Sequence, residues 1–260
     1  MAGGPFYEVQ VPVMPIRAEA RDASEMVTQG LAGEKVERLE AGEKDWVRVR
    51  CLWDGYEGWC DEKQLGPHAD HELHGSFRIC ESLSCWERNG DGAKCWFSMG
   101  SNFRVRTDLD GYFLGNQLFQ RVDSASGDLD APVDPVAAAE RLLGVPYLWG
   151  GRSAFGIDCS GLVQLAFGVM DLQLPRDASQ QVATGQEVAL GEARRGDLAF
   201  FANDKGAIIH VGILLTKTDI LHAAGEVRRD KLSPQGIIHA TTGKQTHSLA
   251  AIRRPQERKT

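Results

Sequence analysis

Between residues 9 and 65, apolar and polar positions alternate in short runs: 36–40, then 46–50 (WVRVR) with strict period two, then 56–60 (YEGWC). Period two is the spacing of a strand with one buried face. Asp54-Gly55 between the last two runs predicts a hairpin turn. Short strands set close together, with glycine at the turns and no helical run, predict a small closed or half-closed β barrel. Residues 76–122 carry glycines and aromatic clusters (Cys85-Trp86, Cys95-Trp96-Phe97, Tyr112-Phe113-Leu114) and predict a second small β unit. The polar stretch 67–75 (PHADHELHG) reads as a linker, and the acidic, small-residue stretch 123–132 (DSASGDLDAP) as the next boundary.

Beyond residue 132 the period changes. Asp134 as cap, Pro135 at the first helical position and Gly144 just past the end predict a helix over 135–143. The segment after Asp158 (CSGLVQLAFGVM) is apolar on nearly every side, the pattern of a buried helix. Strands are predicted over 197–201, 208–215 and 220–224. A buried helix followed by consecutive strands with short turns predicts an α+β domain with an antiparallel sheet. The expected domains are 1–66, 76–122 and 131–256.

Composition narrows the function classes. The chain has 260 residues, 42% hydrophobic and 25% charged, which excludes disorder, and a net charge of −7 with no basic run, which argues against nucleic acid. No apolar stretch approaches the ~20 residues of a membrane span, so none is expected. The first residues lack the basic and apolar regions of a secretion leader, so a cytoplasmic location is expected, with export after leader removal as the alternative. Six cysteines permit disulfides without requiring them at this length. His68, His71 and His74, with Cys80 nearby, are spaced to suit zinc, but no second paired ligand motif follows, so a solvated linker is expected and no metal. The pairs Arg228-Arg229 and Arg253-Arg254 read as solvated surface.

One cysteine stands apart from the other five. Cys159 follows a good cap, Asp158, so it is expected in the first turn of the buried helix, where free amide donors and the positive dipole end favour a thiolate. Such a place lowers a thiol from ~8.5 towards or below neutrality. A thiolate nucleophile needs a base and an orienting group. His210 and His222 fall on consecutive predicted strands, which an antiparallel turn brings together facing the helix start.

The strings YLWGGRSAFGIDCSGLVQ, RRGDLAFF, HVGILL and ILHA, in that order over 133–254, resemble the NlpC-type bacterial cell-wall cysteine peptidases. More narrowly, with SEMVTQGLAGE and DGYEGW in the first barrel, they resemble the γ-D-glutamyl-L-diamino-acid endopeptidases that carry SH3-like domains ahead of the catalytic domain. The resemblance implies a papain-like α+β catalytic domain preceded by small SH3-like barrels. It implies Cys159 as nucleophile, His210 as general base and acid, and His222 as the group orienting His210. The Cys159 backbone N–H and the Tyr147 hydroxyl would meet the oxyanion. It implies no cofactor. The implied substrate is a murein peptide with a free N-terminal L-Ala, such as L-Ala-γ-D-Glu-diaminopimelate. Asp158, with one oxygen expected free beyond its cap bond, is assigned to the substrate ammonium. Ser160 and Ser179 lie in substrate-contacting blocks, and Glu25 and Tyr56 of the first barrel are candidates to close the amine pocket. The alternatives are a peptidoglycan-binding protein, or a wall-lytic peptidase or amidase.

Overall fold

The computed structural model describes residues 6–67, 76–79, 82–106, 111–122 and 132–256, in two compact units, Met1–Ala131 and Pro132–Thr260. The His68, His71, His74 and Cys80 cluster and residues 123–131 of the acidic boundary lie outside them. The described cysteines Cys60, Cys85, Cys95 and Cys159 are free thiols.

In the first unit, seven short strands make one antiparallel sheet: β1 (Phe6–Val9), β2 (Val13–Arg17), β3 (Met26–Leu31), β4 (Lys35–Ala41), β5 (Trp46–Cys51), β6 (Glu57–Asp61) and β7 (Leu65–Pro67), in the order β3-β2-β6-β5-β4-β1-β7. The period-two run 46–50 is β5: Val47 and Val49 are buried with Val9, Met14, Ile16 and Val36. The Asp54-Gly55 turn forms because Gly55 takes φ +77 and the Asp54 carboxylate accepts the Tyr56 N–H at 2.9 Å.

The second sheet, β8 (Ser76–Ile79), β9 (Ser84–Arg88), β10 (Lys94–Phe97), β11 (Asn102–Arg106), β12 (Gly111–Leu114) and β13 (Gln117–Arg121), encloses an aromatic core. Trp86 stacks on Phe103 at 4.8 Å, with Phe97 and Phe119 edge-on. Ala32, in the turn after β3, joins this core, and a buried Arg104–Glu8 pair at 3.1 Å links the two sheets. The two β modules, each with its own sheet and core, lie in one compact unit.

The second unit opens with α1 (Pro135–Glu140), capped by the Asp134 carboxylate on the Ala137 N–H at 2.7 Å. It stops three residues before the expected end. Arg141, Leu142 and Leu143 bond three residues back instead of four, and Gly144, at φ +80, turns the chain away. The hairpin of β14 (Arg152–Ser153) and β15 (Gly156–Ile157) then leads into α2 (Cys159–Gly168), buried on almost every side, and a short α3 (Ala178–Gln181) follows.

The antiparallel sheet holds more strands than the three predicted: β16 (Gln186–Glu187), β17 (Leu198–Ala202), β18 (Ile208–Leu214), β19 (Asp219–Ala224), β20 (Glu226–Ser233), β21 (Gly236–Ile238) and β22 (Gln245–Arg254). Its order is β16-β22-β17-β18-β19-β20-β21, and β21 also pairs with β22, closing a ring of six strands. The arginine pairs are not merely solvated, because each lies on one of these strands. Arg254 holds the buried Asp197 at 2.8 Å, Arg253 pairs with Glu187, Arg228 with Asp230 and Arg229 with Glu140. Charge on an alternating strand end hid β20 and β22 from a reading based on apolar runs.

Candidate active site

The Asp158 side chain caps α2 by accepting the Gly161 N–H at 2.7 Å, and Cys159 is the first helical residue. Gly161 has to be glycine, since a Cβ there would lie 2.3 Å from the Gly151 carbonyl oxygen. α2 packs against β18, and the backbone N–H groups of Ser160 and of Val211, the neighbour of His210, favour the thiolate form of Cys159.

β18 and β19 pair antiparallel, as expected, and the two imidazoles meet: His210 Nε2 is 2.8 Å from His222 Nδ1. Gly212 makes the room, because a Cβ there would sit 2.9 Å from the His222 Cβ. The line continues to a residue the sequence reading missed. Asp230 of β20 accepts from His222 Nε2 at 3.1 Å. Its other oxygen accepts from the Arg228 guanidinium at 3.1 Å and the Ala240 N–H at 2.7 Å.

These partners set the proton positions. Burial would raise the Asp230 carboxyl, but the Ala240 N–H, His222 and Arg228 together hold it below the usual value, so it is ionised and can only accept. The Nε2 of His222 therefore carries a hydrogen, and burial pushes that ring down to about 4 against the pull of Asp230, so it is neutral and its Nδ1 accepts. His210 must then donate from Nε2. Burial, with the charges of His247 and His222, lowers His210 to about 2, which leaves Nδ1 as a bare lone pair.

The thiol does not behave as its helix position suggested. Burial, aided by the charge of Asp158, pushes Cys159 up to about 11, against the Val211 and Ser160 N–H groups and Arg176. The helix end is dry, with Cys159 8% exposed and His210 5%, and desolvation outweighs the dipole. A lone thiolate and a lone imidazolium are both penalised here. Transfer of the proton from sulfur to imidazole creates the two charges together, and their attraction offsets the burial.

Tyr147 lies within reach of the same charges. Burial, then Cys159 and Asp158, push its phenol up to about 12, so it stays a donor. Ser179 is exposed on α3. Ser160 is buried, with its hydroxyl 2.9 Å from Arg176 and 3.3 Å from Asp158. Glu25, exposed, precedes β3 in the first unit, and Tyr56, half-buried, packs against that unit's core.

Asp158 has no free oxygen, contrary to expectation. One accepts from Gly161, Ser160 and Arg176; the other accepts from the Gly150 N–H at 2.9 Å and from Arg176 at 2.5 Å. The bidentate, buried Arg176 lies eighteen positions away, beyond any local pattern. Arg176→Met would strand the Asp158 charge inside the domain and is expected to destabilise this unit by roughly 3–5 kcal/mol. Hydrogen exchange of the α2 amides measures it, and a change below about 1 kcal/mol, the worth of an exposed pair, would show that solvent already shares the charge.

Two family models match the chain in separate segments. Residues 144–246 match the NlpC/P60 family, and residues 16–65 match the bacterial dipeptidyl-peptidase SH3 domain. The chain is 32% identical over 216 residues to the γ-D-glutamyl-L-lysine dipeptidyl-peptidase of Bacillus subtilis, covering 75% of this chain and 71% of that one. A protein of the same name from Bacillus cereus is 25% identical over 257 residues, with 82% and 72% covered. The crystal structure of an NlpC/P60 family protein from Bacillus cereus shares the fold, with a TM-score of 0.77 at 22% identity over 96% of this chain and 99% of that chain. With a first barrel and a thiol–imidazole domain both matched in their own segments, the chain belongs to the NlpC/P60 family and is a hydrolase of the peptidase class.

Proposed function

We propose that the protein is a cysteine endopeptidase that hydrolyses the γ-D-Glu–diamino-acid bond of free murein peptides such as L-Ala-γ-D-Glu-meso-diaminopimelate, in cytoplasmic recycling of cell-wall peptides. The observation that carries this reading is the continuous line Asp230–His222–His210, whose two histidine strands pack against the helix that Cys159 begins. Likeness to dipeptidyl-peptidases named for the γ-D-glutamyl-L-lysine bond, over most of their length, supports the bond type.

In this reading His210 Nδ1 takes the Cys159 proton as the sulfur attacks the γ-carbonyl carbon of D-Glu. The oxyanion is met by the Cys159 backbone N–H and the Tyr147 hydroxyl, and one such donor typically contributes about 2.7–4 kcal/mol. His210, charged and held by His222, gives its proton to the departing amine of the diamino acid, leaving a thioester. A water then loses a proton to His210, attacks the thioester and releases the dipeptide as the sulfur regains its proton. Asp158, with both oxygens engaged and its charge met by Arg176, holds the helix start and leaves the substrate ammonium to other acceptors; Ser160 lies in the first turn of α2 and Ser179 on α3.

Recognition of a free N-terminus separates recycling from wall lysis, because in the intact wall that nitrogen is amide-bonded. Acetylating the substrate N-terminus is expected to slow cleavage at least about a hundredfold, since the blocked nitrogen loses the charge on which the proposed recognition rests. Release of diaminopimelate from blocked and free peptides, followed by chromatography, measures it. Equal rates would replace recycling by a wall-lytic role. An undiminished preference for the free amine in Glu25→Gln and Tyr56→Phe would confine recognition to the second unit.

A further inference from the structure

One imidazole beside this line has no part in the scheme above. His247, on β22, lies flat against His210, with ring centroids 4.2 Å apart and planes inclined by 21°. His222 meets His210 edge-on at 83°, so the two neighbours constrain different motions. The bond from His222 fixes one nitrogen but leaves the ring free to swing about it. A parallel ring on its face removes that swing.

We infer that His247 is a positioning residue for the reaction: as a neutral ring it holds the plane of His210, and as a cation it opposes the charge that His210 must carry, closing the site on the acid side. The inference rests on the proposed roles of Cys159 and His210.

The surroundings of His247 show why it takes up a proton first. On its own strand Thr246 Oγ1 is 2.9 Å from Nδ1. From β17 the Phe201 ring approaches to 5.9 Å, from β18 comes His210, from β19 His222 at 6.0 Å, and β20 brings the Asp230 carboxylate with Arg228 bonded to it. Burial lowers His247 and Asp230 draws it back up. It is half-buried, whereas His210 and His222 are buried and held well below their ordinary value. As pH falls, the ring able to protonate before the others is His247, and its charge appears in face-to-face contact with the general base. Proton transfer from Cys159 to His210 then places two cations 4.2 Å apart and becomes unfavourable.

Two variants of the full chain separate the roles. His247→Phe keeps a flat ring on His210 and removes the charge. His247→Ala removes both. The first readout needs no substrate: iodoacetamide is displaced at carbon by the Cys159 sulfur with loss of iodide, and mass spectrometry follows that cysteine's peptide as a function of pH. The second is kcat and KM on L-Ala-γ-D-Glu-meso-diaminopimelate. In H247F the acid limb of both profiles is expected about one pH unit lower. In H247A the limb moves likewise, and kcat falls by roughly three- to tenfold with little change in KM, the loss expected from removing one stacked ring.

An unmoved acid limb in H247F, with H247A as active as the parent, would overturn the inference. Should H247A fail to fold, H247F decides through its limb alone. Absence of peptide hydrolysis in the parent, with the alkylation limb still shifted in H247F, would overturn the proposed function and leave the role of His247 standing.

Discussion

Cys159→Ala is expected to lower release of diaminopimelate from L-Ala-γ-D-Glu-meso-diaminopimelate by at least about 10⁴-fold while the chain remains folded. The magnitude follows from the chemistry that is lost. Without sulfur there is no thioester, and hydrolysis has to proceed by direct attack of water. The oxyanion donors and the bound geometry still act, but they are the smaller part when a nucleophile and its base work as a unit. Folding is preserved because the helix start is held by Asp158, Arg176 and Gly161 rather than by the thiol. Parallel measurements of turnover and of near-ultraviolet circular dichroism separate the two. A variant with native dichroism and turnover within tenfold of the parent would end the covalent mechanism.

Asp230→Asn is expected to lower kcat/KM by about 10²–10⁴-fold at nearly constant size. Asp230 can only accept, and this forces the hydrogen of His222 onto Nε2, the hydrogen of His210 onto its own Nε2, and the lone pair of His210 onto Nδ1. An asparagine can turn its NH2 towards His222 and donate. His222 then carries hydrogen on Nδ1, donates to His210 Nε2, and leaves His210 with hydrogen on the nitrogen that should receive the thiol proton. The wrong tautomer is favoured although no ring has moved. Nitrogen-15 chemical shifts of the imidazoles report the tautomers directly, beside the kinetics. Native tautomers with normal turnover would show that the carboxylate is a structural group only.

Much of the second unit was legible along the chain. The Asp158 cap, the buried helix and the two strands carrying His210 and His222 follow from local rules, because capping, periodicity and short antiparallel turns act over a few residues. The barrel strands of the first unit were legible for the same reason, and the hairpin at Asp54-Gly55 rests on a backbone angle that glycine tolerates. The end of α1 was misjudged because the chain leaves the helix to bond with Gly225 and Val227, more than eighty residues on.

What local pattern could not reach is the set of groups that meet only after the sheet closes. Asp230 reads as an ordinary charge on an alternating strand until β20 pairs with β19, and His247 until β22 joins β17 and β21. Arg176 is one more surface arginine until it is enclosed with Asp158. The protonation of Cys159 is of the same kind: a helix start favours a thiolate by proximity alone, whereas the desolvation that overrides it depends on how tightly remote segments exclude water. The places of Cys159 and His210, one at a helix start and the other on a strand, were thus legible from their own local surroundings. Their tautomers, charges and orientation belong to the folded interior, where solvent is absent and partners come from distant parts of the chain.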